Sequence, residues 1–322
     1  GNDWHVQHLG ARAAGGAGIV FTEATHVSAI GRITPHCLGL YTQEHQAHLA
    51  RLASIITQCG SVPGIQIAHA GRKASSQVPW EGGKPIAVQD GGWVPVAPSA
   101  LPAVPGATVP HALSVNEIAD IIGQFAATAR MAREAGFKIA EVHGAHGYLG
   151  HSFLSPVSNH RNDSYGGDLD GRARFLMEVV EAVRAEWPED LPLFVRLSCA
   201  DWVPGGLTIE DTVALSRKLA ATGHVDLIDA SSGGISHEQK IPLHPGYQVP
   251  FADAIRNQAG IATGAVGLIT EATHAEEILA NGRADLVLLA RAVLADPAWP
   301  IRAAKTLGVK PAVPNQYLRA AL

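Results

Sequence analysis

Cysteine is scarce and scattered. Cys37, Cys59 and Cys199 are the 3 cysteines in 322 residues, and no C-x-x-C joins any of them. That argues against a disulfide framework, a structural zinc site and an iron–sulfur cluster, and it is the usage expected of a reducing cytoplasm. Runs of lysine or arginine are missing too. With a formal net charge of -5 and a pI near 6.3, the chain has no electrostatic footprint for nucleic acid or an anionic membrane. No apolar stretch approaches the roughly 20 residues that a membrane span needs, and Gly-Asn-Asp-Trp-His at the start is not a signal peptide. The first residue is Gly1, which suggests a trimmed N-terminus. What remains is an ordinary globular composition, 47% hydrophobic and 16% charged, able to bury a large core. Its expected partners are small molecules.

Apolar runs with β-branched residues alternate with segments of helical spacing. Strands are expected at Ala17 to Ala24, Gly64 to His69, Phe137 to Val142, Leu193 to Ser198, Val225 to Ser231, Ile261 to Val266 and Ala284 to Arg291. Helices are expected at Gln43 to Gln58, from the Ser114-Val-Asn-Glu117 capping box to about Ala135, at Leu169 to Glu186, from Thr208 to about Thr222, and at Phe251 to Gln258, Thr270 to Asn281 and Trp299 to Leu307. The stretch from Gly71 to His111, rich in Gly, Pro and Trp, is too long for an ordinary connector and reads as an elaborated active-site loop.

Buried strands in strict alternation with helices, without a composition break, imply parallel strands in one domain over residues 1–322. The fold expected is an α/β class (β/α)8 TIM barrel. A doubly wound sheet is the runner-up, disfavoured because no G-x-G-x-x-G follows any strand. Only seven strands are read where the barrel has eight, so the first strand is expected to be missing from the sequence.

In such barrels the chemistry sits at the C-terminal ends of strands. Those ends carry Glu23 and Ala24, Gln66 and His69, His143, His146 and Tyr148, Arg196, Ser231 and Ser232, Gly264 to Gly267, and Ala290-Arg291. The glycines near the last two strands, with Arg291, stand where a phosphate is often held, although a tight βα turn would explain them as well. His143 and His146 have no Asp or Glu placed with them as a ligand set, so spacing alone makes a weak case for metal. They also read as structural histidines, or with Tyr148 as neutral donors that polarise an oxygen and deliver a proton.

Taken together, these residues resemble a known family. Glu141-Val-His-Gly-Ala-His-Gly-Tyr-Leu149, Phe153-Leu-Ser-Pro156 and Ser158-Asn-His-Arg-Asn-Asp-Ser-Tyr-Gly-Gly167 closely resemble the Old Yellow Enzyme family of flavin-dependent ene-reductases. The second member of the pair is His, as in its bacterial-type branch. Gly64-Ile-Gln-Ile-Ala-His-Ala-Gly-Arg-Lys73, Phe194-Val-Arg-Leu-Ser198, Asp229-Ala-Ser-Ser-Gly-Gly234, Thr263-Gly-Ala-Val-Gly267 and Leu289-Ala-Arg291 extend the match across the chain.

The resemblance implies a (β/α)8 barrel with noncovalent FMN, reduced by NADPH or NADH in a ping-pong cycle. Ala24 and Gln66 would contact the isoalloxazine, Arg196 would lie at its N1 side, and Gly267 with Ala290 and Arg291 would hold its phosphate. His143 and His146 would bind the carbonyl or nitro oxygen of an activated alkene. Hydride would pass to the β-carbon, and Tyr148 would protonate the α-carbon. Arg319 would reach substrate or a neighbouring subunit of a homodimer or homotetramer, although Ala320-Ala-Leu322 lacks the family's terminal aromatic. Asp168-Leu-Asp-Gly-Arg172 replaces the family's Ser-x-Glu-Asn-Arg, a departure that bears on loop packing. Two other readings stand beside this one: a flavin-binding barrel without efficient turnover, and a metal-dependent barrel hydrolase.

Overall fold

Six of the seven residues in Val62–Ala68 are buried. Both faces of that strand are therefore covered, as a parallel sheet wrapped by helices requires. The computed structural model describes residues 1–319. Along the chain come α1 (Asp3–Ala14), β1 (Ile19–Phe21), β2 (Thr25–His26), α2 (Gln43–Gln58), β3 (Val62–Ala68), β4 (Val96–Ala97), β5 (His111–Ala112) and α3 (Val115–Glu134). Then follow β6 (Ile139–Gly144), α4 (Leu149–Leu154), α5 (Leu169–Glu186), β7 (Leu193–Ser198), α6 (Ile209–Ala221) and β8 (Leu227–Ser231). Last come α7 (Val249–Ala259), β9 (Ala262–Ala265), α8 (Ala272–Ala280), β10 (Leu286–Val287), α9 (Arg291–Ala295) and α10 (Trp299–Thr306).

The main sheet runs β1-β3-β6-β7-β8-β9-β10 with every pair parallel, and β2 pairs further along β3. This is the expected α/β barrel architecture. Among the described residues no ladder joins β1 to β10, so the sheet is open along that seam. One apolar cluster extends from Leu9 to Ala284, gathering Leu52, Ile65, Phe137, Phe175, Trp187 and Ile228 between sheet and helices. No helix among the described residues is long and apolar enough to cross a membrane.

The expected caps form. Ser114 Oγ accepts the Glu117 amide while Glu117 reaches back to the Ser114 amide at 2.8 Å, and Thr208 and Asp211 do the same for α6. Asp168 caps α5 by accepting the Gly171 amide at 2.9 Å, and Arg172 donates to the Leu154 carbonyl at 2.8 Å. The variant sequence of that loop is thus internally bonded.

Three expectations about elements change. The strand expected to reach Arg291 keeps its ladder only over Leu286–Val287, and Arg291 instead opens α9. Its residues 286–289 are half-buried and pair on one side only, and the Leu288 amide, donating to the Ala265 carbonyl at 2.9 Å, makes the last bond to β9. The strand expected over Ala17 to Ala24 breaks after Phe21, where Thr25 Oγ1 donates to the Glu23 carbonyl at 2.9 Å and turns the chain before β2. A helix, α1, precedes the first expected element; it buries only Leu9 and Ala13, so its apolar spacing is faint in the sequence.

Candidate active site

Strand register sets the interior of the site. Gln66 on β3 lies opposite Glu141 on β6, and Arg196 on β7 lies opposite both His143 on β6 and Asp229 on β8. Residues two apart share a face, so Glu141 and His143 point the same way. Gln66 Nε2 donates to Glu141 Oε1 at 2.7 Å. Arg196 Nε lies 2.8 Å from Asp229 Oδ2, an ion pair by distance, with a carboxylate fully buried. Its angle falls short of a hydrogen bond, and among the described residues Arg196 Nε, both Asp229 oxygens and Glu141 Oε2 have no hydrogen-bond partner. Burial, and then Asp229, push the Glu141 carboxyl up to about 8. Burial raises Asp229 as well, against the pull of Arg196.

β6 ends in a tight turn. His146 (φ 59) and Gly147 (φ 74) are consecutive left-handed residues. A Cβ on Gly147 would lie 2.1 Å from the Gly234 carbonyl oxygen, so only glycine fits there. The His146 amide donates to Ser198 Oγ at 2.9 Å, and Lys73 Nζ donates to the carbonyls of His146 (2.9 Å) and Gly234 (3.1 Å).

The same contacts assign the imidazole protons. His143 Nδ1 accepts the Ala145 amide at 3.2 Å, so its proton sits on Nε2, 3.3 Å from His146 Nδ1. His146 Nδ1 thus accepts, and its Nε2 proton is donated to Ser231 Oγ at 2.7 Å. Burial first, and the Arg196 charge second, hold both rings well below the ordinary histidine range, so both are neutral. The Tyr148 ring stands edge-on to His143 at 5.0 Å, with Lys73 Nζ 5.1 Å from its centroid. Burial pushes the Tyr148 phenol up to about 12. Among the described residues the Tyr148 hydroxyl has no hydrogen-bond partner.

A cavity of about 580 Å³ reaches into the barrel interior from the open seam. Gln66, Glu141, Arg196 and Asp229 form its polar floor. Phe21, Leu38, Val266, Leu288 and Leu289 line its sides, and His8 and Arg12 of α1 stand at its outer rim.

Residues 1–309 match the sequence profile of the NADH:flavin oxidoreductase / NADH oxidase family. The chain belongs to this family. It is 49% identical over 317 residues to an NADPH dehydrogenase of Geobacillus sp. (strain WCH70), covering 98% of this chain and 88% of that relative. It is 43% identical over 316 residues to the NADPH dehydrogenase of Bacillus subtilis (strain 168), again covering 98% and 88%. Among solved structures it resembles morphinone reductase in complex with tetrahydroNAD, with a TM-score of 0.75, 27% identity and coverage of 97% of this chain and 83% of that one. A 2-naphthoyl-CoA reductase matches with a TM-score of 0.85 and 29% identity over 96% of this chain, which spans 47% of that longer one. The Old Yellow Enzyme resemblance is thereby borne out, and the chain is an NAD(P)H-dependent flavin oxidoreductase with FMN as cofactor. Membership also displaces the hydrolase alternative.

The cavity suits the NADH:flavin oxidoreductase cofactor. Its volume is that of a small-molecule site, its sides are apolar enough for a flat ring system, and at its floor stands a guanidinium whose Nε lacks a hydrogen-bond partner. Arg196 and Gln66 would hold the polar edge of the ring. Of the residues expected from the sequence, the structure brings Gln66, Arg196 and Ala290 to this cavity. His143, His146 and Tyr148 gather into one cluster. Ala24 is half-buried beside Glu23, which lines the cavity. Gly267 is buried with φ 131, while Ala290 and Arg291 are exposed past β10. Arg319 is exposed at the end of the described chain, and the expected lack of a terminal aromatic falls on residues 320–322, outside it.

Five contributors escape sequence reasoning. Glu141 and Asp229 read as parts of apolar strands, and only their inward register makes them site residues. Lys73 is visible in Ala-Gly-Arg-Lys, but its hold on two distant carbonyls is not. His151 and Asp201 are 50 positions apart yet bonded at 2.8 Å; a charged residue just past a strand end was the available signal.

Proposed function

We propose that this flavin oxidoreductase acts as a single FMN-binding domain and reduces the C=C bond of activated alkenes, α,β-unsaturated carbonyl or nitro compounds. The observation that carries the reading is Tyr148: a phenol raised to about 12, with an uncommitted hydroxyl, packed against neutral His143, which is itself hydrogen-bonded to neutral His146. When bound, FMN supplies the hydride that adds to the β-carbon.

The residues of the chain do the rest. A substrate oxygen entering beside the pair takes N–H groups that otherwise point to His146 Nδ1 and Ser231 Oγ. Both rings are neutral, so they polarise the oxygen without transferring a proton to it. Charge drawn toward that oxygen leaves the β-carbon electron-poor. Tyr148 then protonates the α-carbon, its high pKa keeping the proton in place until the carbon becomes basic. The Lys73 ammonium, 5.1 Å from the ring, faces the charge that Tyr148 takes on. Arg196 sets a fixed positive charge at the cavity floor, which favours anionic character in whatever ring system rests on it.

The test is an absorbance spectrum of the purified protein, taken first alone, then with NADPH, then with cyclohexenone. Bleaching by NADPH and recovery on adding cyclohexenone are expected. Bleaching without recovery overturns the alkene assignment. A flavin band that NADPH leaves untouched supports the second reading, a flavin-binding barrel without efficient turnover. The proposal includes a homo-oligomer in which Arg319 meets the neighbouring subunit; an Arg319→Ala variant with unchanged elution volume and KM removes that part.

A further inference from the structure

The turn that carries His146 and Tyr148 is anchored from beneath by polar groups outside the chemistry just described. His151 on α4 and Asp201 beyond β7 both have side chains with 0% exposure, and His151 Nε2 lies 2.8 Å from Asp201 Oδ1. The Gly147 amide donates to His151 Nδ1 at 2.8 Å. Since Nδ1 accepts, the imidazole proton is on Nε2 and goes to Asp201. The other carboxylate oxygen accepts Ser155 Oγ at 2.6 Å and the Leu207 amide at 2.7 Å. Burial pushes the Asp201 carboxyl up, but His151 and these donors bring it below its ordinary value, so it is ionised.

The amide so held is not an ordinary one. Gly147 follows a histidine in the left-handed region and precedes Tyr148, the N-terminal cap of α4. A non-glycine residue there is costly and persists only where its surroundings over-determine it. Lys73 fixes the upper side of the turn through the His146 carbonyl, and His151 fixes the lower side through the next amide.

We propose that His151 is a positioning residue for Tyr148: Asp201 holds it as the Nε2–H tautomer, and its Nδ1 fixes the Gly147 amide and hence the direction of the phenol. The inference rests on Tyr148 as proton donor. It differs from simple packing because two amide substitutions separate the functions of the ring. In His151→Asn the side-chain oxygen falls near the position of Nδ1 and keeps an acceptor for the Gly147 amide. In His151→Gln the longer side chain reaches Asp201 and leaves that amide without one.

The experiment uses the FMN-loaded enzyme and follows each half-reaction by rapid mixing. His151→Gln is expected to slow reoxidation by cyclohexenone about 10- to 100-fold, the scale set by a misplaced reacting group, with reduction by NADPH changed less than about twofold. His151→Asn is expected to recover most of that loss. Equal losses in both half-reactions for the two variants, or no loss in His151→Gln, overturn the proposal. A Tyr148→Phe control that leaves reoxidation unchanged sinks the reading of Tyr148 itself, a separate result. Should the variants fail to fold, the ¹⁵N shifts of His151 in the unsubstituted holoenzyme decide: a proton on Nε2 alone upholds the proposal, and a proton on Nδ1 or on both nitrogens overturns it.

Discussion

His143 Nε2 lies 3.3 Å from His146 Nδ1, with the rings edge to face at 5.1 Å between centroids. The two histidines are therefore one hydrogen-bonded unit that continues to Ser231 Oγ. Replacing either with Ala should weaken a phenolic ligand that mimics the polarised oxygen by about tenfold or more, the value of a hydrogen bond to a partly charged acceptor. Titration of the holoenzyme by absorbance checks this. Unchanged affinity in both variants would remove the pair from oxygen binding.

Tyr148→Phe keeps the ring packed on His143 and removes only the phenol proton. Reoxidation by an alkene should fall by about 10²- to 10⁴-fold, the usual worth of a general acid, while reduction by NADPH stays nearly intact. Stopped-flow traces of the two half-reactions separate these outcomes. Equal losses in both would sink the role given to Tyr148.

Arg196→Gln leaves the fully buried Asp229 carboxylate without its cation. Breaking a buried pair from one side costs about 3–5 kcal/mol, so the apoprotein should melt several degrees lower. FMN should also bind more weakly, as read by flavin release on dilution. Adding Asp229→Asn should restore much of the melting temperature but not the flavin affinity. Recovery of both would place Arg196 outside the cofactor site.

Buried neutral histidines predict loss of stability in acid. Burial holds His26 at about 4 and His69 at about 3. The unfolded chain takes up protons near the ordinary value of about 6.5 and the folded chain does so only at these lower values, so stability falls as pH drops from about 6.5 toward 4. Each such group steepens the slope by up to about 1.4 kcal/mol per pH unit. Thermal melts at several pH values should show Tm falling across this window, and less steeply in His26→Gln. An equal slope in the variant would rule out His26 as a contributor.

Much of this protein is determined by local sequence. The Ser114–Glu117 and Thr208–Asp211 boxes place two helix starts, because a cap is settled by residues three apart. The apolar runs at Gly64 to His69 and Leu193 to Ser198 call for strands covered on both faces, and alternation with helices makes the sheet parallel. His143, His146 and Tyr148 cluster from adjacent positions, so that part of the site and the family resemblance are legible without coordinates. Tertiary structure alone decided the rest. Gln66 meets Glu141 across 75 positions, Arg196 faces Asp229 from a neighbouring strand, and Asp201 reaches back to His151. It also decided which nitrogen of each imidazole carries the proton. Such choices depend on strand register and on which amide or hydroxyl a turn delivers within about 3 Å, quantities set by the packing of segments far apart in the chain.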